Sequence, residues 1–419
     1  MDLNRVVITG LGAITPIGNN LPDYWEAQKS GKSGSGPITY FDTEKFKTKF
    51  ACEIKNYKAA DYFDRKTVRK LDKFTQYALI ASDEAIADAG LDLDVVDKYR
   101  TGVIWGAGIG GLETFQNEVI NYAKGDGTPR FNPFFIPKMI ADIAPGNISI
   151  KHGFMGPNYT TVSACASSAN AIFDALNYIR LGYTDVVVTG GSEAAITEAG
   201  MGGFNSMHAL STRNDTPATA SRPFDATRDG FVLGEGAGSL ILESLDHAKK
   251  RGAKIYGEII GGGLSSDAYH MTAPHPEGKG VIAVMKSCLQ NAGIKPEDVD
   301  HINTHGTSTP LGDVAELIAI KDVFGKSAYD ININSTKSMT GHLLGAAGAI
   351  EAISAILSIK HNIIPPTINH SVQDDKIDDQ FNLTLNQAQQ RNVDIALSNT
   401  FGFGGHNACI AFKSFTDQT

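Results

Sequence analysis

Thr161-Thr-Val-Ser-Ala-Cys-Ala-Ser-Ser-Ala-Asn170 is the stretch around which the chain is organised. A short β-prone run from Tyr159 gives way to small residues, and from Ala166 the apolar residues recur at helical spacing. This pattern predicts that Cys165 lies in a strand-to-helix turn, beside the free N–H groups of a helix start. Such N–H groups and the helix macrodipole favour the thiolate, the nucleophilic form of cysteine. The stretch therefore predicts a nucleophilic thiol, with a buried, unreactive cysteine as the alternative.

Length and composition are typical of a globular α/β protein larger than one ordinary domain. The chain has 419 residues, 42% hydrophobic and 20% charged, with 44 glycines. Its four cysteines are widely spaced without a C-x-x-C pair, which argues against a disulfide framework and favours a reducing, cytoplasmic compartment. The net charge of −9 disfavours nucleic acid and anionic membranes as partners. We expect no signal peptide and no membrane span.

A faint internal repeat predicts a duplicated fold. Ala169-Asn-Ala-Ile172, after the cysteine turn, parallels Ala347-Gly-Ala-Ile350 in the second part of the chain. We therefore expect two α/β halves, 1–255 and 256–419. Alternating strands and helices predict largely parallel sheets covered by helices, in a five-layer α/β/α/β/α stack with the active site where the halves meet.

Two histidines occur in contexts like that of Cys165. His305 follows a strand-like run in Asn303-Thr-His-Gly-Thr-Ser-Thr-Pro310, and His342 lies in Ser335–Gly345, again after a strand. A parallel sheet collects ligands at the carboxyl ends of its strands. A cysteine hydrolase would need only one of the two imidazoles, and the three side chains lack the short spacing of a zinc site. Acyl transfer to the thiol fits better, followed by stabilisation of an enolate by two neutral imidazole N–H donors.

Two further features accompany this predicted site. Lys337 ends a buried-looking strand and would add positive potential, with Glu351 as a candidate partner. The glycine-rich loop Ser398–Gly405 could offer a backbone N–H to an acyl oxyanion, while Phe401 and Phe403 wall an apolar channel. The alternative for this loop is a tight turn with two core aromatics.

Gly106-Ala-Gly-Ile-Gly-Gly111 matches the G-x-G-x-x-G pattern of dinucleotide sites. Such a site also needs an acidic residue at the end of the next strand, about 20 residues further on. That region reads Gly127-Thr-Pro-Arg-Phe-Asn-Pro133, with neither strand nor acid. We therefore expect no bound cofactor and interpret the loop as the lining of a substrate channel.

A basic cluster stands out in this acidic chain. The pattern of 64–89 predicts one long helix, and the cluster covers about 140° of its circumference. Its members are Arg65, Lys66, Arg69, Lys70 and Lys73. Such a run is usually a solvated face, and an acidic carrier protein is the sharper explanation.

Four motifs, in order, resemble those of the β-ketoacyl-[acyl-carrier-protein] synthases, most closely the synthase II condensing enzymes of bacterial fatty acid synthesis. The likeness runs from about residue 3 to residue 413. The motifs are Val162–Ser168, His305–Pro310, Lys337–His342 and Asn399–Gly405. The resemblance implies a thiolase fold and a homodimer. It also implies that the enzyme has no cofactor of its own, because the phosphopantetheine arm belongs to the partner acyl carrier protein.

The resemblance implies a decarboxylative condensation. Cys165 would take the acyl chain from one carrier, and His305 and His342 would assist decarboxylation of malonyl carrier protein and stabilise the carbanion. The products would be a 3-oxoacyl carrier protein and carbon dioxide. Lys337 corresponds to the active-site lysine of the family, and Glu351 to the acid that pairs with it.

The resemblance also assigns contacts with the substrate. The amides of Cys165 and Phe403 match the oxyanion hole. The remaining positions are Thr272, Thr307 and Thr309 for the pantetheine arm, Ile109 and Phe403 for the acyl pocket and its gate, and Phe135 for a contact across the dimer. Lys66, Arg69 and Lys70, with Arg65 beside them, fit the carrier-docking patch. Around Arg130-Phe131 and at His208, the compared synthases tend to carry more basic residues than this chain does.

Alternatives within the fold remain open. A ketosynthase of a specialised polyene or polyketide pathway would carry the same motifs. A non-catalytic chain-length partner subunit would not need the intact Cys165, His305 and His342. A degradative thiolase would need a second catalytic cysteine, whereas Cys409 sits inside the last predicted strand.

Overall fold

The computed structural model of the protein describes residues 3–416. Its strands are β1 (Val6–Ile14), β2 (Gly36–Pro37), β3 (Phe50–Ala51), β4 (Thr101–Gly106), β5 (Asn158–Thr161), β6 (Val186–Glu193), β7 (Gly236–Ser244), β8 (Gly257–Ser266), β9 (His301–Asn303), β10 (Asn332–Asn334), β11 (Ile363–Ile364), β12 (Gln389–Gln390), β13 (Ile395–Gly402) and β14 (His406–Lys413). Its α-helices are α1 (Leu21–Lys29), α2 (Arg65–Val68), α3 (Lys73–Asp88), α4 (Leu112–Lys124), α5 (Phe135–Met139), α6 (Ile143–His152), α7 (Ser167–Arg180), α8 (Glu198–Ser206), α9 (Leu245–Lys250), α10 (Lys279–Ala292), α11 (Gly312–Phe324), α12 (Lys337–Thr340) and α13 (Ala347–His361).

The main sheet has the strand order β10-β9-β13-β14-β8-β1-β7-β6-β4-β5. Its two halves repeat one plan, because β5-β4-β6-β7-β1 corresponds strand by strand to β10-β9-β13-β14-β8. A short antiparallel contact joins the halves, where Val7 and Ile8 pair with Glu258 and Gly257. The duplication inferred from the sequence is thus visible in the topology, while the boundary at 255/256 stays a prediction.

The sheet is mixed, so the prediction of largely parallel sheets is wrong for its inner strands. The outer strands are parallel, β4 with β5 and β6, and β9 with β10 and β13. The inner strands β1, β7, β8 and β14 pair antiparallel with their neighbours. One reason is local, since β13 and β14 are joined by a tight turn, and a hairpin forces antiparallel pairing.

The predicted five-layer α/β/α/β/α stack is confirmed. Helices α3 and α6 cover the outer face of the first half-sheet, and α10 and α11 cover that of the second. Helices α7 and α13 pack against each other between the two halves and fill the central apolar cluster. Leu344–His361 has the length and composition of a membrane-crossing segment, but 89% of it is buried, as expected for this central layer.

The prediction of one helix over 64–89 is wrong. Asp64 caps α2 by accepting from the N–H of Lys66 and Thr67, and Asp72 caps α3 by accepting from the N–H of Phe74. Two N-capping aspartates start two separate helices, so the basic cluster does not form one face of a single helix. Arg65, Lys66, Arg69 and Lys70 are nevertheless all exposed.

Candidate active site

Cys165 lies in a tight turn, Ala164–Ala166, between the end of β5 and the start of α7. Ala164 has a φ of 51°, a left-handed conformation that is uncommon for a residue with a side chain. The hydroxyl of Ser167 donates to the carbonyl of Ala164 at 2.7 Å and accepts from the N–H of Ser163 at 2.9 Å. The strained turn is thereby held in place, and Cys165 is buried at the start of the central helix.

Both predicted histidines lie beside the thiol. His342 Nε2 is 3.0 Å from Cys165 Sγ, although 177 residues separate them in the chain. The rings of His305 and His342 meet edge to face, with centroids 5.3 Å apart. Phe231 packs against the ring of His342 and Phe401 against that of His305, with centroids 5.4 and 5.5 Å apart. One thiol and two imidazoles therefore share one apolar-walled space.

The backbone of His342 is fixed on both sides. Its N–H donates to the carbonyl of Val232 at 2.7 Å, and its carbonyl accepts from the N–H of Gly234 at 2.9 Å. The backbone of His305 is fixed by Glu316, whose carboxylate accepts from the N–H groups of His305 and Gly306 at 2.9 Å each. Both imidazoles are thus held by the backbone, and the Nδ1 atoms have no hydrogen-bond partner within residues 3–416.

Both imidazoles are neutral near pH 7. Burial, reinforced by the positive charge of Lys337, lowers the pKa of His305 and of His342 well below the ordinary value. A neutral imidazole carries one N–H and one acceptor nitrogen, so each ring can donate one hydrogen bond and accept one. These are the properties required of two donors aimed at an enolate oxygen.

Lys337 and Glu351 form a fully buried ion pair between Nζ and Oε1. Burial raises the pKa of Glu351 to about 7, and Lys337 acts in the opposite direction. The charge of Lys337 also lowers the pKa of both histidines and favours the thiolate of Cys165. Lys337 therefore acts on the site electrostatically, as the sequence pattern suggested.

The expected resting thiolate is not supported. Burial raises the pKa of the Cys165 thiol to about 12, although Lys337 and the backbone N–H groups of Phe403 and Cys165 oppose the rise. The helix start is present, but desolvation outweighs its field. The thiol must therefore lose its proton as it attacks, and Nε2 of His342 is within hydrogen-bond reach to accept it.

The turn between β13 and β14 supplies the second half of a candidate oxyanion hole. The backbone N–H groups of Phe403 and Cys165 lie close enough to the sulfur to lower the pKa of the Cys165 thiol, against the effect of burial. Gly402 makes this approach possible, because a Cβ there would lie 2.7 Å from the carbonyl of Ser163 and 3.0 Å from the nitrogen of Cys165. The predicted role of this glycine loop is therefore compatible with its geometry.

The thiol opens into an apolar cluster that the sequence patterns did not reveal. Its members include Leu112, Ala195, Ile196, Met201, Phe204, Leu210, Phe231, Leu233 and Leu344. Three of them, Met201, Phe204 and Leu210, lie in α8 or in the loop that follows it. Ile109, assigned to the same pocket, is 42% exposed.

The other predicted residues lie around the mouth of the site. The hydroxyls of Thr307 and Thr309 are 3.0 Å apart. Thr272 is exposed, in a loop tied to the Phe403 turn by the N–H of Gly404, which donates to the carbonyl of Met271 at 2.7 Å.

Phe135 is not among the residues packed around Cys165 in its own chain. It stacks with Phe115 and Phe131, with centroids 6.4 and 5.5 Å apart. In the docking cluster, Lys70 Nζ lies 5.6 Å from the ring centroid of Phe134, which places the cluster beside this aromatic row.

Arg228 is a functional candidate that sequence reasoning missed. Its guanidinium donates to the carbonyl oxygens of Thr309 and Pro310 at 3.0 and 2.9 Å, and pairs with Asp374 at 2.7 Å. It is 5% exposed, and a buried arginine bonded to loop carbonyls holds that loop in place. In the sequence, Arg228 lies in a stretch without helical or strand periodicity, so no local pattern indicates what its guanidinium contacts.

Comparison with known proteins gives concordant results. Residues 3–248 match "Beta-ketoacyl synthase, N-terminal domain" and residues 256–371 match "Beta-ketoacyl synthase, C-terminal domain". The chain is 48% identical over 415 residues to 3-oxoacyl-[acyl-carrier-protein] synthase 2 of Synechocystis sp., covering 99% of each. It is 49% identical over 412 residues to the protein of the same name from Staphylococcus aureus (strain COL), covering 98% of each.

Solved structures agree on the fold. The ishigamide ketosynthase/chain length factor superposes with a TM-score of 0.92 at 33% identity, covering 99% of this chain and 100% of that one. A type II polyketide ketosynthase in complex with its acyl-carrier protein (AntDE:AntF) superposes with a TM-score of 0.90 at 32% identity, with the same coverage.

Proposed function

Because the chain belongs to the β-ketoacyl synthase family, we propose that it condenses an acyl-[acyl-carrier-protein] with malonyl-[acyl-carrier-protein] in fatty acid elongation. The products are 3-oxoacyl-[acyl-carrier-protein] and carbon dioxide. The observation that carries this proposal is the 3.0 Å approach of His342 Nε2 to Cys165 Sγ, with the ring of His305 alongside.

In the first half of the reaction, the acyl group moves to Cys165. The thiol loses its proton to His342 Nε2 as the sulfur attacks the thioester carbonyl. The N–H groups of Cys165 and Phe403 stabilise the oxyanion of the tetrahedral intermediate. The pantetheine sulfur leaves with the electron pair of the broken C–S bond and takes up the proton, so the histidine is neutral again.

In the second half, malonyl carrier protein occupies the same channel. Proton exchange with solvent, while the carriers are exchanged, leaves the hydrogen of neutral His342 on Nε2. Loss of carbon dioxide leaves the electron pair of the broken C–C bond on an enolate, whose oxygen accepts from the N–H groups of His305 and His342. Preorganised donors in a water-poor site stabilise such developing charge most effectively. The enolate carbon attacks the acyl-Cys165 carbonyl, the C–S bond breaks with its electron pair on the sulfur, and the thiolate takes up a proton from solvent.

Acyl carrier protein is the proposed partner. The exposed Arg65, Lys66, Arg69 and Lys70 offer positive charge to an acidic surface, in a protein of net charge −9. The phosphopantetheine arm of the carrier would pass Thr307 and Thr309, so the enzyme needs no cofactor of its own. Reversing the charge of Lys66 and Arg69 should weaken use of a carrier-bound substrate more than use of a small thioester mimic. Equal effects on both substrates would refute docking there.

A homodimer in the cytoplasm completes the proposal. The strand β5 lies at the edge of the sheet next to exposed apolar side chains, with Met155 and Val162 59% and 62% exposed. Two copies could pair through this edge, which would bring Phe135 of each chain near the site of the other.

A polyketide or polyene pathway is the second candidate, because one of the solved structures quoted above contains a type II polyketide ketosynthase. The two structures are 32–33% identical to this chain, whereas the two proteins named 3-oxoacyl-[acyl-carrier-protein] synthase 2 are 48–49% identical over nearly the full length. The closer likeness favours fatty acid elongation.

Replacement of the nucleophile tests the proposal. Cys165→Ala should abolish chain extension and the acyl adduct detected by intact-protein mass spectrometry, because no other group can carry the acyl chain. Cys288→Ala is the matched control, since it removes a buried cysteine on the core-facing side of α10. Undiminished extension by Cys165→Ala would refute the mechanism.

A further inference from the structure

A buried carboxylate, Glu193, lies at the end of β6 and takes no part in the steps above. It is 0% exposed. One oxygen accepts from the N–H groups of Gly108 and Gly345 at 2.8 and 3.1 Å. The other accepts from those of Ile109 and Gly110 at 3.1 and 3.3 Å. A single side chain thus satisfies four backbone donors.

These donors belong to two loops from opposite halves of the molecule. One follows β4 and carries Ile109, and the other opens α13, three residues after His342. The loops touch, since a Cβ on Gly345 would lie 2.2 Å from the nitrogen of Gly108. A Cβ on Gly108 would lie 2.6 Å from Glu193 Oε2, so the carboxylate fits only between glycines.

The charge of Glu193 is compensated by backbone alone. Across residues 3–416, no lysine, arginine or histidine forms an ion pair with Glu193. Burial raises the pKa of Glu193 to about 7, and the four backbone N–H groups act in the opposite direction. The titratable side chains around Cys165 are His305 after β9, Lys337 on α12, His342 after it and Glu193 on β6. Glu193 raises the pKa of the thiol and Lys337 lowers it.

We propose that Glu193 is a positioning residue that ties the Ile109 loop to the turn after His342, and so fixes the wall of the acyl chamber beside Cys165. The inference rests on the proposed acyl transfer to Cys165. Ile109 can leave its place only when a hydrogen bond to this carboxylate breaks. Glu193 therefore limits which acyl chains fit the chamber, and its negative charge adds to the effect of burial in disfavouring the thiolate.

Glu193→Gln separates this role from ordinary packing. The amide keeps one acceptor oxygen but turns an NH₂ group toward N–H donors, so about half of the tether is lost. Two quantities should change. The first is the pH midpoint of Cys165 alkylation by iodoacetamide, which mass spectrometry of the peptide that contains Cys165 measures. This midpoint should fall by about one unit, because a neighbouring negative charge is gone. The ratio of kcat/KM for long to short acyl carriers should shift about tenfold, as for one methylene contact.

Glu235→Gln is the matched control. Glu235 is also fully buried with its pKa raised to about 7, but it bonds the hydroxyl of Tyr40 and the N–H of Ile54. This variant should leave both the alkylation midpoint and the chain-length ratio at their wild-type values. Equal shifts in the two variants would mean a general effect of losing a buried carboxylate, and would overturn the proposal.

Glu193→Asp supplies the second variant, should the glutamine variant fail to fold. It keeps the charge and shortens the tether, so the chain-length ratio should shift while the alkylation midpoint stays in place. If the ratio of kcat/KM for long to short acyl carriers stayed at its wild-type value, the proposed tether would be refuted. Alkylation needs no carrier substrate, so it reports on Glu193 even if wild-type Cys165 takes up no acyl group, which would instead contradict the proposed function.

Discussion

The turn that opens α7 and the turn that opens α13 have the same backbone, with φ of 51° at Ala164 and 48° at Leu344. Each is a single 3₁₀ turn that leads into a helix of the central layer. The first carries the thiol of Cys165, whereas the second carries no nucleophile and instead follows His342. A duplicated scaffold thus provides two equivalent helix starts, and the chemistry is divided between them.

The charged and titratable groups of the site are also divided between the two halves. The first half contributes the sulfur and the anionic Glu193, while His305, His342 and the buried Lys337–Glu351 pair all come from the second. Separating nucleophile from proton-handling groups lets each half keep its own fold while the site forms only where they meet.

The largest loss of activity is expected for the histidine that precedes the second turn. His342→Ala removes the acceptor 3.0 Å from Cys165 Sγ and one of the two enolate donors. Both half-reactions should slow, acyl transfer by about 10²- to 10⁴-fold, which is the usual range for a general base. Single-turnover acylation of the thiol measures the first step. An unchanged acylation rate would assign proton removal to some other group.

The pH dependence of malonyl decarboxylation gives a second test. The pKa of His305 and of His342 is lowered well below the ordinary histidine value, so both rings stay neutral as the pH falls through 6.5. Neither ring therefore changes its charge between about pH 6 and pH 8, and the decarboxylation rate should not follow a histidine titration in that range. A sigmoidal loss with a midpoint near 6.5 would show that the rings titrate as solvent-exposed histidines do.

The smallest effect is expected for relief of strain at the first turn. Ala164→Gly removes a Cβ from a left-handed position but adds freedom to the unfolded chain, so the free energy of unfolding should change by no more than about 1 kcal/mol. Leu344→Ala, at the equivalent position, should cost about 2–5 kcal/mol because it also empties a buried site. Urea unfolding of the two variants measures the difference, and equal losses would contradict this comparison of the turns.

Much of the site could be predicted because its parts are local. Each of the three catalytic side chains follows a strand and lies among small residues, as seen for Cys165, His305 and His342. This pattern can be recognised in a segment of about ten residues around each of them. Glu193 and Glu316 could not be found this way, because their partners are backbone N–H groups of loops elsewhere in the chain. The resting state of the thiol was also mispredicted, since a helix start is visible in sequence and the depth of burial is not.

The fold shows the same contrast. The duplicated halves and five layers follow from repeats and from strand–helix alternation, whereas the break between α2 and α3 depends on Asp72. That side chain caps α3 and also accepts from the N–H and hydroxyl of Thr114, at 3.0 and 2.6 Å. A tertiary contact of this kind leaves no local pattern.

The division of labour between the halves is tested most directly with His305→Ala. Incubation with an acyl carrier substrate, digestion and mass spectrometry of the Cys165 peptide would reveal whether the acyl group is transferred, and addition of malonyl carrier protein would reveal whether it is extended. We predict a stable acyl adduct on Cys165 with extension strongly reduced, because only the second half-reaction needs both donors. Loss of the adduct together with extension would contradict the account.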